Sequence, residues 1–173
     1  LQSIYVSGGT SRSPGYRGNG DYTPTDELLG LYDAGDVRND ILIAVSSAGL
    51  NNPVGTRDLH KFTGNTGLDN TDNIPILRVS EMYLNLAEAA ARAGQTALAQ
   101  ATLNTLKQRS VDPTYTATNS GQALIDEILV ERRLELLGEG HRLFDLKRNG
   151  LGIDKTATDL TGELIPFTDL RIL

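Results

Sequence analysis

The chain has 173 residues, a length that supports one hydrophobic core rather than several. Its 16 Lys and Arg against 22 Asp and Glu leave a formal net charge of −6, so the broad positive field on which nucleic-acid binding depends is missing. Zero cysteines exclude disulfides, thiolate metal sites and a cysteine nucleophile; His60 and His141, far apart in sequence, exclude a histidine cluster; and no apolar run nears the roughly 20 residues that span a bilayer.

The chain opens Leu1-Gln2-Ser3 with neither an initiating Met nor an apolar signal segment, and the expectation is that an N-terminal part precedes it. Residues 1–78 hold 11 of the 18 glycines together with Pro14, Pro24, Pro53 and Pro75, which predicts mostly loops. Two β-branched runs, Ser3 to Val6 and Ile41 to Val45, are candidates for a short pair of strands. Between them, Tyr16 to Tyr22 is a glycine-rich loop bearing Tyr16, Arg17, Asn19, Asp21 and Tyr22. A flat aromatic face beside planar hydrogen-bonding groups suits a sugar ring and its hydroxyls, so Tyr16, Asn19 and Tyr22 are the candidate ligand contacts; the competing role is a tyrosine that anchors the loop to the core. A first helix is predicted with Thr23 as N-cap and Pro24 at its first position, running through Leu28, Leu29, Leu31 and Tyr32 to a stop at Gly35.

Residues 79–150 read as helices. Val79, Tyr83, Leu86, Ala87 and Ala90 recur at helical spacing before Gly94, and Ala99, Leu103 and Leu106 mark a second helix from Thr96, its expected cap, to about Ser110. So short a link predicts an antiparallel αα-hairpin, and Tyr83, Leu86, Ala87, Ala90, Ala99 and Leu103 fit the spacing of one degenerate tetratricopeptide unit. A lone unit cannot bury its own apolar face, so it must pack on later helices or on hairpins outside this chain. A third helix is expected from Gln122 to Leu137 with Ser120 as cap, and a short fourth from His141 to Arg148, ended by Asn149-Gly150 and burying Leu143, Phe144 and Leu146. Residues 151–173 read as an irregular tail. The fold class is therefore mainly α, with tetratricopeptide-like hairpins, a loop-rich N-terminal half and two short strands.

The densest charge cluster comprises Glu131, Arg132, Arg133, Glu135, Glu139, Arg142, Asp145, Lys147 and Arg148. At 100° per residue Arg132 falls between Ile128 and Leu136 on the apolar stripe, so its guanidinium needs a carboxylate, with Glu135 and Glu139 nearest; a buried structural ion pair is preferred over catalysis. Arg142, Asp145 and Arg148 form an i, i+3, i+6 ladder. His141 and Asp145 have the spacing of a base and its orienting acid but no nucleophile beside them. Glu81 and Glu88 share a helical face as paired carboxylates of a hydrolase would, but Arg92 at i+4 from Glu88 favours an exposed salt-bridged surface. The glycine-rich stretches lack the Lys-Ser/Thr ending of a P-loop. No cofactor or metal site is expected.

Four segments resemble, in order, motifs of the SusD/RagB family of outer-membrane nutrient-binding lipoproteins. Pro24-Thr25-Asp26-Glu27-Leu28 with Tyr32 and Asp36-Val37-Arg38 is similar to a family segment ending Y-x-x-x-D-x-R. Ile74-Pro75-Ile76-Leu77-Arg78-Val79-Ser80-Glu81 through Leu84, Ala87, Glu88 and Ala89 resembles P-x-L-R-Y-A-E-x-x-L-x-x-A-E-A, with Val79 where the family has Tyr. Leu103 to Arg109 resembles L-N-x-V-R-x-R, and Ile128 to Leu136 with Glu139 to Arg148 resembles I-x-x-E-R-R-x-E-L-x-x-E-G-x-R-x-x-D-L-x-R. The resemblance implies a mostly helical C-terminal portion whose charged signature is scaffold. It also implies capture of oligosaccharides, or in some members peptides, for a SusC-type TonB-dependent transporter. The full protein would be surface-exposed on the outer membrane, touching the membrane only through an N-terminal lipid anchor absent from this chain, with no catalysis. Two other classes compete with this one: a tetratricopeptide-type protein-interaction module without a small-molecule site, and a hydrolase using Glu81 and Glu88 or His141 and Asp145.

Overall fold

A computed structural model of the chain describes residues 25–45, 57–59, 76–154 and 164–165. The Ser3 to Val6 run and the loop carrying Tyr16, Asn19 and Tyr22 lie outside the described residues, as does His60. The elements are mainly helical: α1 (Asp26–Leu29), α2 (Val37–Leu42), β1 (Ile43–Val45), β2 (Arg57–Leu59), α3 (Val79–Arg92), α4 (Thr96–Ser110), α5 (Gly121–Glu135), α6 (Arg142–Arg148), β3 (Ile153–Asp154) and β4 (Leu164–Ile165). Two compact units are formed. The described residues of the first are 25–45, 57–59, 76–82 and 104–116; those of the second are 83–103, 117–154 and 164–165.

In the first unit the opening helix is shorter and starts later than its sequence predicts. Thr25, not Thr23, is the cap: its hydroxyl accepts the Leu28 N–H at 3.3 Å, which puts Asp26 and Glu27 in the first turn, where carboxylates oppose the positive helix end. Gly30 closes α1 five residues before the expected stop, and Leu28 and Tyr32 are buried nonetheless. Asp36 then starts α2, its Oδ1 accepting the Arg38 backbone N–H at 2.9 Å. Ile41 and Leu42, read in sequence as strand, close this helix; the strand is only 43–45, and its antiparallel partner is β2, with Ile43 opposite Leu59 and Val45 opposite Arg57. The C-terminal part of α4 belongs to the same unit. Lys107 lies 3.5 Å from Asp33 Oδ2 and 4.3 Å from the centre of the Tyr115 ring, so the ring and the carboxylate share one cation.

In the second unit the core is built from Leu84, Ala87, Ala90, Ala99, Leu103, Leu124, Ile125, Ile128, Leu134, Leu136 and Leu146. The inner face of α3 keeps Ala87 and Ala90 of the predicted row but not its larger members. Val79, Tyr83 and Leu86 are exposed, and the buried row is Ser80, Leu84, Ala87, Glu88 and Ala90. The pattern misled because, Leu84 apart, the buried row is small or polar, whereas three larger apolar residues stand outside it. Helix α3 ends in a Schellman motif: Gly94, at φ +74°, donates to the Ala91 carbonyl and Gln95 to that of Ala90. Thr96 is the first residue of α4 rather than its cap, and the Gln95 carbonyl accepts the Ala99 N–H.

The turn before α5 is tied down by side chains. Gln100 Nε2 donates to the Asn119 carbonyl at 2.8 Å, and Asn119 Nδ2 to Glu127 Oε2 at 2.9 Å. Ser120 stands at the N-cap of α5 in extended conformation, as expected, although its hydroxyl makes no capping bond. Helix α6 repeats the ending of α3: Gly150, at φ +66°, donates to the Lys147 carbonyl and Leu151 to that of Leu146. Only Leu146 of its apolar side chains is buried; Leu143 and Phe144, expected inside, are exposed. The tail also holds a short antiparallel pair that no periodicity announced, with Ile153 opposite Ile165.

Candidate functional site

The described part of the chain converges its chemistry on one ionic cluster in the second unit. Arg132, on the inner face of α5, donates through Nε to both oxygens of Asp145 at 3.2 Å and through Nη1 to Asn85 Oδ1 at 2.7 Å. Arg148 donates from Nε and Nη2 to Asp145 Oδ1 at 3.0 and 2.8 Å and from Nη2 to Glu88 Oε2 at 2.6 Å; its Nη1 also reaches Glu88 Oε1. Arg92 completes the group, with Nε 2.9 Å from Glu88 Oε1 and Nη2 on Asn149 Oδ1. Asn149 in turn donates to the Asp145 carbonyl at 2.7 Å. Three guanidinium groups thus enclose two carboxylates from three helices.

Burial by itself would push the Glu88 carboxyl up, but the hydrogen bonds from Arg148 and then Arg92 outweigh it, and the group sits below the ordinary carboxylate range. Arg148 is held above its ordinary value, chiefly by its bond to Glu88 and against the opposing effect of burial. Glu88 is therefore ionised at neutral pH, and both carboxylates are satisfied by fixed cations. That is the chemistry of a brace. A general base must be free to take a proton, and a nucleophilic carboxylate must face its substrate.

The sequence-derived candidates fall out accordingly. Arg132 is buried and ion-paired as its helical position requires, but its partner is Asp145, thirteen residues on, instead of Glu135 or Glu139. Glu88 is not on an exposed salt-bridged face: it is buried, and Arg148 joins Arg92 on it. Asp145 is held by Arg132 and Arg148, so its pairing with His141 as an acid–base couple is not the arrangement found; His141 instead precedes α6 as its N-cap residue, accepting the Asp145 N–H on its carbonyl. The Arg148–Asp145 rung of the expected ladder is present. Sequence reasoning missed the roles of Asn85 and Asn149, and the Glu88–Arg148 pair spans 60 positions, beyond any local spacing rule. Among the described residues no group of three or more His, Asp or Glu side chains is placed to hold a metal ion, and no helix is long and apolar enough to cross a membrane.

The first unit holds a smaller version of the same device. Arg38 and Asp36, both buried, pair through Nε at 3.0 and 3.2 Å and Nη2 at 2.7 Å. These two residues belong to the upstream segment singled out by its Asp-x-Arg ending.

Comparison with known proteins assigns this scaffold to a family. The SusD family model matches residues 44–165. A SusD-like protein of Formosa agariphila is 34% identical over 122 residues, which cover 66% of this chain and 23% of that protein. Among solved structures, a SusD superfamily protein from Bacteroides thetaiotaomicron is 35% identical with a TM-score of 0.71, covering 86% of this chain and 36% of that one. A SusD-like carbohydrate binding protein from Bacteroides vulgatus is 26% identical with a TM-score of 0.69, covering 88% of this chain and 31% of that one. The chain thus spans about a quarter to a third of the length of these relatives, and over the matched stretch it belongs to the SusD family.

Proposed function

We propose that this chain is part of a cell-surface nutrient-binding lipoprotein that captures oligosaccharides, or peptides, at the outer membrane and passes them to a SusC-type TonB-dependent transporter. The observation that carries this reading is the similarity, over 88% of the chain, to a SusD-like carbohydrate binding protein. The ionic cluster supports it from the other side, because Glu88 and Asp145, two of the three carboxylates a hydrolase would use, are occupied by arginines. In this reading residues 79–150 are scaffold, the loop-rich residues 1–78 supply ligand contacts through Tyr16, Asn19 and Tyr22, residues 151–173 form a tail, and a lipid anchor precedes the chain. No cofactor takes part.

Isothermal titration of the full-length protein against a panel of oligosaccharides and peptides tests it. Saturable binding of one class, weakened roughly tenfold or more by Tyr16→Ala or Tyr22→Ala, is the expected result, the size of one lost aromatic contact. Absence of binding across the panel favours a protein-interaction module of tetratricopeptide type. A ligand chemically altered on incubation would show an enzyme.

A further inference from the structure

Helix α6 is docked by charge more than by apolar contact. Leu146 is buried, whereas Leu143 is 44% and Phe144 69% exposed. Seven residues are too few for a helix to persist alone in water, so its helicity depends on what holds it. The bonds that reach from α6 and its C-cap to other helices include Asp145 to Arg132, Arg148 to Glu88 and Asn149 to Arg92.

Each side of this contact also carries a pairing of its own. On α3, Arg92 lies one turn from Glu88 and 2.9 Å from its Oε1; on α6, Arg148 lies 2.8 Å from Asp145; on α5, Arg132 keeps a 2.7 Å bond to Asn85. Separation would exchange bonds between helices for bonds already made within α3 and within α6. Neither carboxylate would be left buried without a cation, the situation that makes breaking a simple buried ion pair so costly. Arg148 is also where water enters: its side chain is 40% exposed, against 6% for Arg132.

We infer that α6, with its closing turn through Leu151, is a detachable element that opens in one cooperative step while α5 stays folded, and that Arg148 is its latch. Opening moves Asp145 and Arg148 into water as a neutral pair, leaves Glu88 with Arg92, and uncovers Arg132, which keeps its bond to Asn85 and exchanges Asp145 for water.

Hydrogen exchange in the full chain, followed at low denaturant, tests this at the amides of Asp145, Asn149, Gly150 and Leu151, all bonded within α6 or its ends. The expected result is one opening free energy and one denaturant slope shared by all four, both smaller than those of the α5 amides. In Arg148→Met the four amides should exchange about tenfold faster or more, with the α5 amides unchanged. Three results would overturn the inference: protection that fades gradually toward Leu151, which is end fraying; a common slope for α5 and α6; or an Arg148→Met variant that speeds both helices equally. Should that variant fail to fold, the wild-type slopes decide alone.

Discussion

Arg132 illustrates how a single charged residue becomes structural. On α5 it falls between Ile128 and Leu136, buried as they are, where a guanidinium without a counter-charge would be prohibitively costly, and Asp145 together with Asn85 satisfies it. Arg132→Ala should therefore destabilise the fold by about 3–5 kcal/mol, since it strips a buried carboxylate of one of its two cations; the drop in Tm or in denaturant midpoint measures it. Glu88 makes a pH prediction. Its folded pKa lies below the ordinary 4.5, so in acid the unfolded chain takes up the proton first. The stabilisation is complete above that value and is lost as pH falls through the depressed folded pKa. As pH falls through 4.5 and below, the wild type should lose Tm more steeply than Glu88→Gln, whose side chain has no proton to gain. Whether Arg132 would be buried was legible from helical geometry; which carboxylate met it was not, because that choice depends on how α6 folds back.

At the scale of elements, the helix ends were read better than the helix faces. Gly94 and Gly150 both stop helices as their positions suggested, because an αL residue followed by two backbone bonds to the preceding turn is a local device that needs no tertiary partner. Gly94→Ala should cost about 1–2 kcal/mol through backbone strain alone, since nothing lies within 4 Å of the added methyl group. Chemical denaturation checks the size. The faces went astray where burial selected against size: α3 turns Ala87, Ala90 and Glu88 inward and leaves Tyr83 and Leu86 outside, and α6 hides one leucine of its apolar three. Hydrophobic periodicity ranks residues by their own transfer free energy. It cannot register a glutamate whose burial is compensated by two arginines from different helices. The strands fared likewise, since 43–45 pairs with residues 57–59, a partner that local β-propensity does not reveal.

For the whole molecule, the decisive prediction is the ligand titration of the full-length protein: a Kd that saturates with an oligosaccharide or peptide and responds to Tyr16 and Tyr22. Family membership was legible in the amino-acid sequence because the signature residues sit at fixed spacings along single helices, Ile128 to Glu135 on α5 and Arg142 to Arg148 on α6, and spacing survives without coordinates. Helical class, the main helix boundaries and the absence of cysteine chemistry follow from the sequence for the same reason, being set by composition and by contacts within a few residues. Only the tertiary structure decided that Glu88, Arg132, Asp145 and Arg148 form one brace, because ionic partners 60 positions apart are chosen by three-dimensional proximity, and a charge buried without its partner would not be tolerated.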